Sequence, residues 1–265
     1  MSRPLLSSLV RALPRRAPSP PARRLSLATA LALIAGALAL PCAASAQLTL
    51  TLRQGKGWVE SGDLFLHRAD TDVVIVDPLW EDQSYRSPIY YGIGLTWWLP
   101  RHREWGLGVE VTHAKAILQT DETAFAVGRL DGRPIAGSVL VRDVVPALQF
   151  SHGLNFATVN GYRRWWAAPR GEQTVGVAFY LGVGAGVVVP HVEAQIDGIR
   201  TDEYQLAGPA ARGVAGLDVP FDEHISLVGE AIVSWADVDA DLAGGGSVRT
   251  TMVVPQLSLG IALRD

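Results

Sequence analysis

Residues 95–111 read Leu-Thr-Trp-Trp-Leu-Pro-Arg-His-Arg-Glu-Trp-Gly-Leu-Gly-Val-Glu-Val. An alternating apolar segment ends on Trp97 and Trp98, a short polar turn follows, and Trp105 opens the next alternating segment. The arrangement recurs where Trp165 and Trp166 stand before a second short turn, Ala168-Pro-Arg-Gly-Glu172. Five of the eight tryptophans therefore flank short turns at one end of a set of strand-like segments. An indole is most stable at a membrane–water interface, with its ring at the acyl boundary and its N–H among headgroups. A row of such rings beside short turns is what an outer-membrane β-barrel shows at its periplasmic rim.

Working outward, eight segments alternate at close to the ~9–11 residues that cross a bilayer as a tilted strand. They are residues 47–54, 88–98, 105–118, 156–166, 174–189, 209–219, 225–235 and 252–264. In the fifth, Val177, Phe179, Leu181, Val183, Val187 and Val189 share one face. Gly176, Ala178, Tyr180, Gly182, Gly184 and Gly186 share the other, so lipid outside and a tight lumen inside are expected. The third segment turns Leu107, Val109 and Val111 outward and Glu110 inward, and the seventh places Glu230 inward with Ser226 and Ser234. Glu110 and Glu230 are expected to pair inside the lumen with an arginine such as Arg212. Short polar connections alternate with the long ones 55–87, 119–155, 190–208 and 236–251. That alternation predicts an all-β, eight-stranded, antiparallel up-and-down outer-membrane barrel with its long loops outside the cell. A soluble lipocalin-like barrel would hide its apolar face inside and lack the girdle. Whether 55–87 forms a lid or an extra hairpin, raising the strand count to ten, stays open at this point.

The N-terminus gives the same address. Residues 1–46 hold six arginines and no acid, then an apolar run, then Pro41-Cys-Ala-Ala-Ser-Ala46. This is a charged n-region, an h-region and an Ala-x-Ala site, so 1–46 is expected to be a signal peptide and 47–265 the barrel. Cys42, the only cysteine, would leave with the leader, and with it disulfides, thiolate metal sites and cysteine nucleophiles. The chain has 23 basic and 26 acidic residues; without the six leader arginines the balance is 17 to 26, a net charge of −9. Nothing there would neutralise a phosphate backbone, so nucleic acid is excluded as a partner. The expected partners are the outer membrane and its outer-leaflet lipopolysaccharide, with the barrel itself a monomer.

Chemistry is sought where ionisable groups break the apolar stripes. By strand parity His113 and Lys115 continue the outward face of the third segment, and His191 and Glu193 that of the fifth. His152 precedes the fourth, followed by Asn155 and Asn160. A charge on the lipid face costs ~2–4 kcal/mol at the midplane and little near the rim, so these groups belong at headgroup level. Histidine with carboxylate there is able to hold a divalent metal or to act as acid and base, and paired Asn to orient a hydroxyl or phosphate. The plainer alternative is a headgroup-level belt whose histidines hydrogen-bond loop backbone. Asp237, Asp239 and Asp241 begin like a calcium loop, but Leu242 and Val248 stand where its Gly and Glu should be. Gly182-x-Gly184-x-Gly186 is barrel lumen, since no helix follows it.

Several strings together resemble one family. They are Trp105-Gly-x-Gly-x-Glu-x-Thr-His-Ala-Lys115, Phe150-Ser-His-Gly-Leu-Asn-x-x-Thr-Val-Asn160, Gly182-x-Gly-x-Gly-x-x-x-Pro-His-Val-Glu193, Glu203-Tyr-Gln-Leu-x-Gly-Pro209 and Gly244-Gly-Gly246. They cover most of 85–262 and resemble the outer-membrane lipid A oxidases. The resemblance implies oxidation of C1 of the proximal glucosamine of lipid A to 2-aminogluconate, with molecular oxygen as co-substrate and release of peroxide. It carries no residue roles with it. Oxygen does not oxidise a hemiacetal without a redox centre, so a cofactor is expected, and a divalent metal on His113, His152, His191 and Glu193 is the best set available. His152-Gly-Leu-Asn155 is also similar to the His-x-Ser-Asn motif of lipid A deacylase barrels, but Leu154 stands where the nucleophile should be. A structural or adhesive barrel without enzymatic activity is the remaining alternative.

Overall fold

The computed structural model describes residues 47–167 and 176–265. The expected leader 1–46 with Cys42, the turn at 168–172 and the start of the fifth segment lie outside the described residues. The strands in chain order are β1 (Gln47–Gly57), β2 (Glu60–Ser61), β3 (Leu64–Arg68), β4 (Thr71–Val76), β5 (Trp80–Glu81), β6 (Tyr91–Trp98), β7 (Trp105–Leu118) and β8 (Thr123–Leu130). There follow β9 (Arg133–Leu140), β10 (Ala147–Trp166), β11 (Ala178–Ile196), β12 (Ile199–Tyr204), β13 (Gly208–Pro220), β14 (Ile225–Asp241) and β15 (Ser247–Arg264).

Eight of these close a ring. β1, β6, β7, β10, β11, β13, β14 and β15 pair antiparallel in that order, and β1 pairs back onto β15 from Thr49↔Arg264 to Gly57↔Gln256. Closure leaves no open edge, which a strand sheet in hydrocarbon requires because no water is there to satisfy free N–H and C=O groups. The outward stripe is apolar and bare: Val183, Leu259 and Val159 are 73%, 66% and 63% exposed. On β11 it runs uninterrupted from Phe179 to Val189. Ten residue steps at ~3.3 Å, tilted ~40°, rise about 25 Å, the height of a barrel's apolar band. An uninterrupted belt of this extent is not left to water by a soluble monomer. The chain is an outer-membrane-type barrel.

The lumen is filled. Arg53, Glu110, Arg212 and Glu230 lie at its centre, each 5% exposed or less. Arg53 bonds Glu110 and reaches Glu230 at 2.6 Å, and Arg212 reaches Glu110 at 2.7 Å and Glu230 at 3.1 Å. Glu110 and Glu230 thus pair with Arg212 as expected, and Arg53 joins them. Tyr180 donates to Glu230 at 2.5 Å. Gly182 and Gly216 make room for the tyrosines: a Cβ there would stand 2.5 Å from Tyr162 and 2.2 Å from Tyr180. The space left beside the ion pairs is about 30 Å³, room for about one water, so the described side chains fill the lumen at this level.

Two expectations are corrected. Trp97, Trp105 and Trp165 do face outward in the girdle, but Trp98 is buried on the inward parity. The Arg164 guanidinium sits 3.9 Å from the Trp98 ring centre and 4.8 Å from that of Trp166, closing the periplasmic mouth. The long connections also carry strands. The segment 55–87 holds the hairpin β3–β4, which joins the outer end of β15 (Val248↔Leu66) instead of entering the ring, so the count stays at eight. The segment 119–155 holds the hairpin β8–β9, which pairs with β4, and the first residues of β10. Leu64, Leu66, Val73, Ile75, Phe150 and Met252 plug the extracellular half with an apolar core.

Candidate functional site

The functional side chains expected at the rim gather on the outer wall of β7, β10 and β11. His113 and Lys115 keep the outward parity of β7, yet each is only 3% exposed. The segment preceding β6 and the first residue of β6 cover them: Lys115 Nζ donates to the Arg86 carbonyl at 2.9 Å, and the Tyr91 ring stacks on His113 at 4.8 Å. Asn155 is the direct neighbour of His113 across the ladder. Its Nδ2 donates to the Val189 carbonyl at 3.0 Å, a group that only accepts. That fixes the amide, so Oδ1 accepts from His113 Nδ1–H at 2.9 Å. His113 Nε2 is then left with its lone pair, buried and without a partner.

A break in β10 brings His152 to the same wall. Between Phe150 and Leu154 the register shifts against both neighbours, and Gly153 sits at φ +132°. A Cβ at Gly153 would meet the Asn155 amide at 2.6 Å and His113 Cε1 at 2.8 Å, so only glycine fits. His152 Nδ1 lies 2.6 Å from Glu193 Oε1, and His191 Nδ1 lies 3.5 Å from the same oxygen. The two rings meet edge to face at 5.3 Å. Ser151 Oγ donates to Glu193 Oε1 at 2.5 Å and Gln149 Nε2 to Oε2 at 3.1 Å. Burial favours the protonated carboxyl, but the Ser151 hydroxyl, His152 and His191 outweigh it and hold Glu193 down to about 2.

β12 supplies two partners that sequence reasoning missed. Asp202 Oδ1 lies 3.3 Å from His191 Nε2, and the Tyr204 ring packs edge-on to His191 at 4.5 Å while its hydroxyl donates to the His152 carbonyl at 3.2 Å. Asn160 does not join them. It faces the lumen, 1% exposed, with Nδ2 on Thr158 Oγ1 at 3.1 Å. Five residues of strand, roughly 16 Å, separate it from Asn155.

Two chemistries can be tested on this geometry. A hydrolytic triad needs the acid and the hydroxyl on opposite nitrogens of the histidine. Here Ser151 Oγ at 3.3 Å and Glu193 Oε1 at 2.6 Å both face His152 Nδ1, so no relay is formed. A metal fits better. His152, His191 and Glu193 offer donor atoms all within 4.8 Å of one another. Ligands bound at ~2.0–2.2 Å sit roughly 3–4 Å apart, so closure requires a small contraction. His191 Nδ1 is buried without a hydrogen bond, a lone pair free for a ligand, while Nε2 faces Asp202. A carboxylate on the far nitrogen is how metal-bound imidazoles are held in place.

No protein-family model matches the chain, and no curated protein matches it. Among solved structures it is similar to the outer membrane protein OprG from Pseudomonas aeruginosa, at 13% identity and TM-score 0.38, over 83% of this chain and 95% of that one. Neisserial surface protein A gives 9% and 0.33, over 83% and 97%. AlkL in lipid bilayers gives 12% and 0.38, over 83% and 90%.

Proposed function

We propose that this outer-membrane barrel is an enzyme that oxidises C1 of the proximal glucosamine of lipid A with molecular oxygen, giving 2-aminogluconate and hydrogen peroxide. The observation that carries the proposal is the convergence of His152, His191 and Glu193 within 4.8 Å on the lipid-facing wall, just above the apolar band. Two histidines and one carboxylate with open positions are the donor set of oxygen-using non-haem iron enzymes. The electrons balance: the lactol loses its hydroxyl proton, the C1 hydrogen and two electrons, oxygen takes them as peroxide, and water opens the lactone to the acid. Only a sugar with a free anomeric hydroxyl is a substrate.

A divalent redox metal on those three side chains would supply the electron path between lactol and oxygen. The chain's own residues do the rest. His113, buried under Tyr91 and fixed through Asn155, backs Gly153 and so positions the turn that presents His152. Lys115 ties residue 86 to the wall and so keeps His113 covered from water. Ser151 and Gln149 hold Glu193 as a carboxylate, and Asp202 aims His191.

The test is the mass spectrum of lipid A from cells expressing the protein in air. The expected result is a gain of one oxygen atom that requires air and disappears with His191→Ala. Lipid A left unchanged by a folded, outer-membrane-inserted barrel overturns the proposal. It would favour the structural or adhesive alternative, for which the filled lumen and packed extracellular sheet speak, and loss of an acyl mass would indicate a deacylase.

A further inference from the structure

The lipid-facing stripe of β10 carries a cation at its periplasmic end. Arg163 lies on the outward parity, exposed, with Trp105 as its direct partner on β7 and Leu181 on β11. Its guanidinium carbon is 5.1 Å from the Trp105 ring centre and 5.0 Å from that of Trp165, so the group is held between two indoles. Trp165 stacks in turn on Phe179 at 5.8 Å. Outward indoles at the short-turn end fix the depth of this cation at the inner headgroup boundary.

Its inward neighbour shows what Arg163 lacks. Arg164 uses Nε on the Arg103 carbonyl at 2.7 Å and Nη2 on Gln47 Oε1 at 3.0 Å. Among the described residues nothing accepts from Arg163, and Glu104, which precedes its ladder partner Trp105, faces His102. A guanidinium with five donors, facing lipid and stacked on both sides, calls for an acceptor that the membrane supplies. At that depth the acceptor is a phosphodiester, whose paired oxygens match the planar fork.

We propose that Arg163, held between Trp105 and Trp165, binds the phosphate of a glycerophospholipid of the periplasmic leaflet. The site fixes the height of the barrel from its inner side, independently of what the outer rim does.

The experiment titrates the folded barrel in detergent with dioleoylphosphatidylglycerol and counts bound lipid by native mass spectrometry. Dioleoylglycerol, with the same chains and no phosphate, and inorganic phosphate serve as comparisons. The expected result is one tightly held phosphatidylglycerol, bound about tenfold more weakly by Arg163→Gln and several-fold more weakly by Arg163→Lys, which keeps the charge but not the fork. Arg103→Gln, in the adjoining turn, is expected to bind as the native protein does. Equal binding by Arg163→Gln, or equal loss in Arg103→Gln, overturns the proposal. So does equal binding of dioleoylglycerol, which would reduce the site to acyl contact, or displacement of the lipid by inorganic phosphate, which would make it a free-anion site.

Discussion

Removing one member of the lumen network tests whether the barrel is held from inside. Arg53, Arg212, Glu110 and Glu230 sum to zero charge, and each arginine touches both glutamates. One such contact at about 3 Å, in an effective dielectric of ~20, is worth roughly 5–6 kcal/mol gross. Desolvation removes several kcal/mol per ion from that, so the intact network contributes little net stability. Arg212→Met changes the balance: two carboxylates then share Arg53, and one negative charge is buried without compensation. Breaking a buried pair in this way costs ~3–5 kcal/mol. The double variant Arg212→Met/Glu110→Gln restores neutrality and keeps the 2.6 Å Arg53–Glu230 pair. It is expected to be about 2 kcal/mol or more better than the sum of the single changes, the coupling expected of groups in one network. The assay is urea unfolding of the barrel in lipid vesicles followed by tryptophan fluorescence, with heat-modifiable gel migration as the check that each variant folds. A single-variant cost below ~1 kcal/mol, or additive costs in the double variant, would refute the argument.

Three further outcomes are expected. Gly153→Ala forces a Cβ against Asn155 and His113 at a positive φ, so it is expected to abolish the proposed lipid A oxidation and the protected His113 Nδ1–H resonance while the ring stays folded; the local strain is ~1–3 kcal/mol. Glu193, held down to about 2 against an ordinary 4.5, gives the rim a stabilisation fully present above about pH 4.5 and lost as pH falls toward 2. Its carboxyl carbon resonance should titrate near 2, and Ser151→Ala should move the midpoint upward. Asp202→Asn should weaken divalent metal binding ~10–100-fold by calorimetry without altering unfolding of the ring, because Asp202 reaches the donor set through His191 and, with its other partner Arg200, lies on β12 outside the ring.

The ring was legible because its signal is strictly local. A period-2 alternation such as Phe179-Tyr-Leu-Gly-Val fixes which face meets lipid, and the contrast between short and long connections fixes which end is outside. The same parity placed His113, Lys115, His191 and Glu193 on the outer wall. The extracellular strands were overlooked although two of them are announced. Asp131-Gly132 and Asp197-Gly198 turn β8 into β9 and β11 into β12 with positive φ at both residues, the strongest short hairpin signal a sequence offers. Reading Asp197-Gly198 as a hairpin would have paired Glu193 with Asp202 and His191 with Tyr204, as the ladder does. Arg53 was missed for a different reason: its partners Glu110 and Glu230 come from β7 and β14, and only ring closure brings β1 among them.

His152 marks the limit of parity reasoning and explains why the site needs a defect. From Asn155↔Val189 to Leu154↔Pro190 the pairing of β10 with β11 is regular, and continuing it would set residue 152 opposite Val192. Val192 is fully buried and inward, so a regular strand would carry His152 into the extracellular core, where an imidazole has no partner. Instead the ladder resumes at Gln149↔Glu193, with two more residues on β10 than on β11 across the gap. An even insertion preserves the alternation on both sides, so Phe150 and Leu154 both stay in the core. Within the gap the chain is free to turn, and Gly153 permits the turn. His152 is thereby delivered outward onto Glu193 and His191. The alternation that builds the barrel and the break that builds the site are therefore separable, and this is why Gly153→Ala is expected to silence the rim without unfolding the ring.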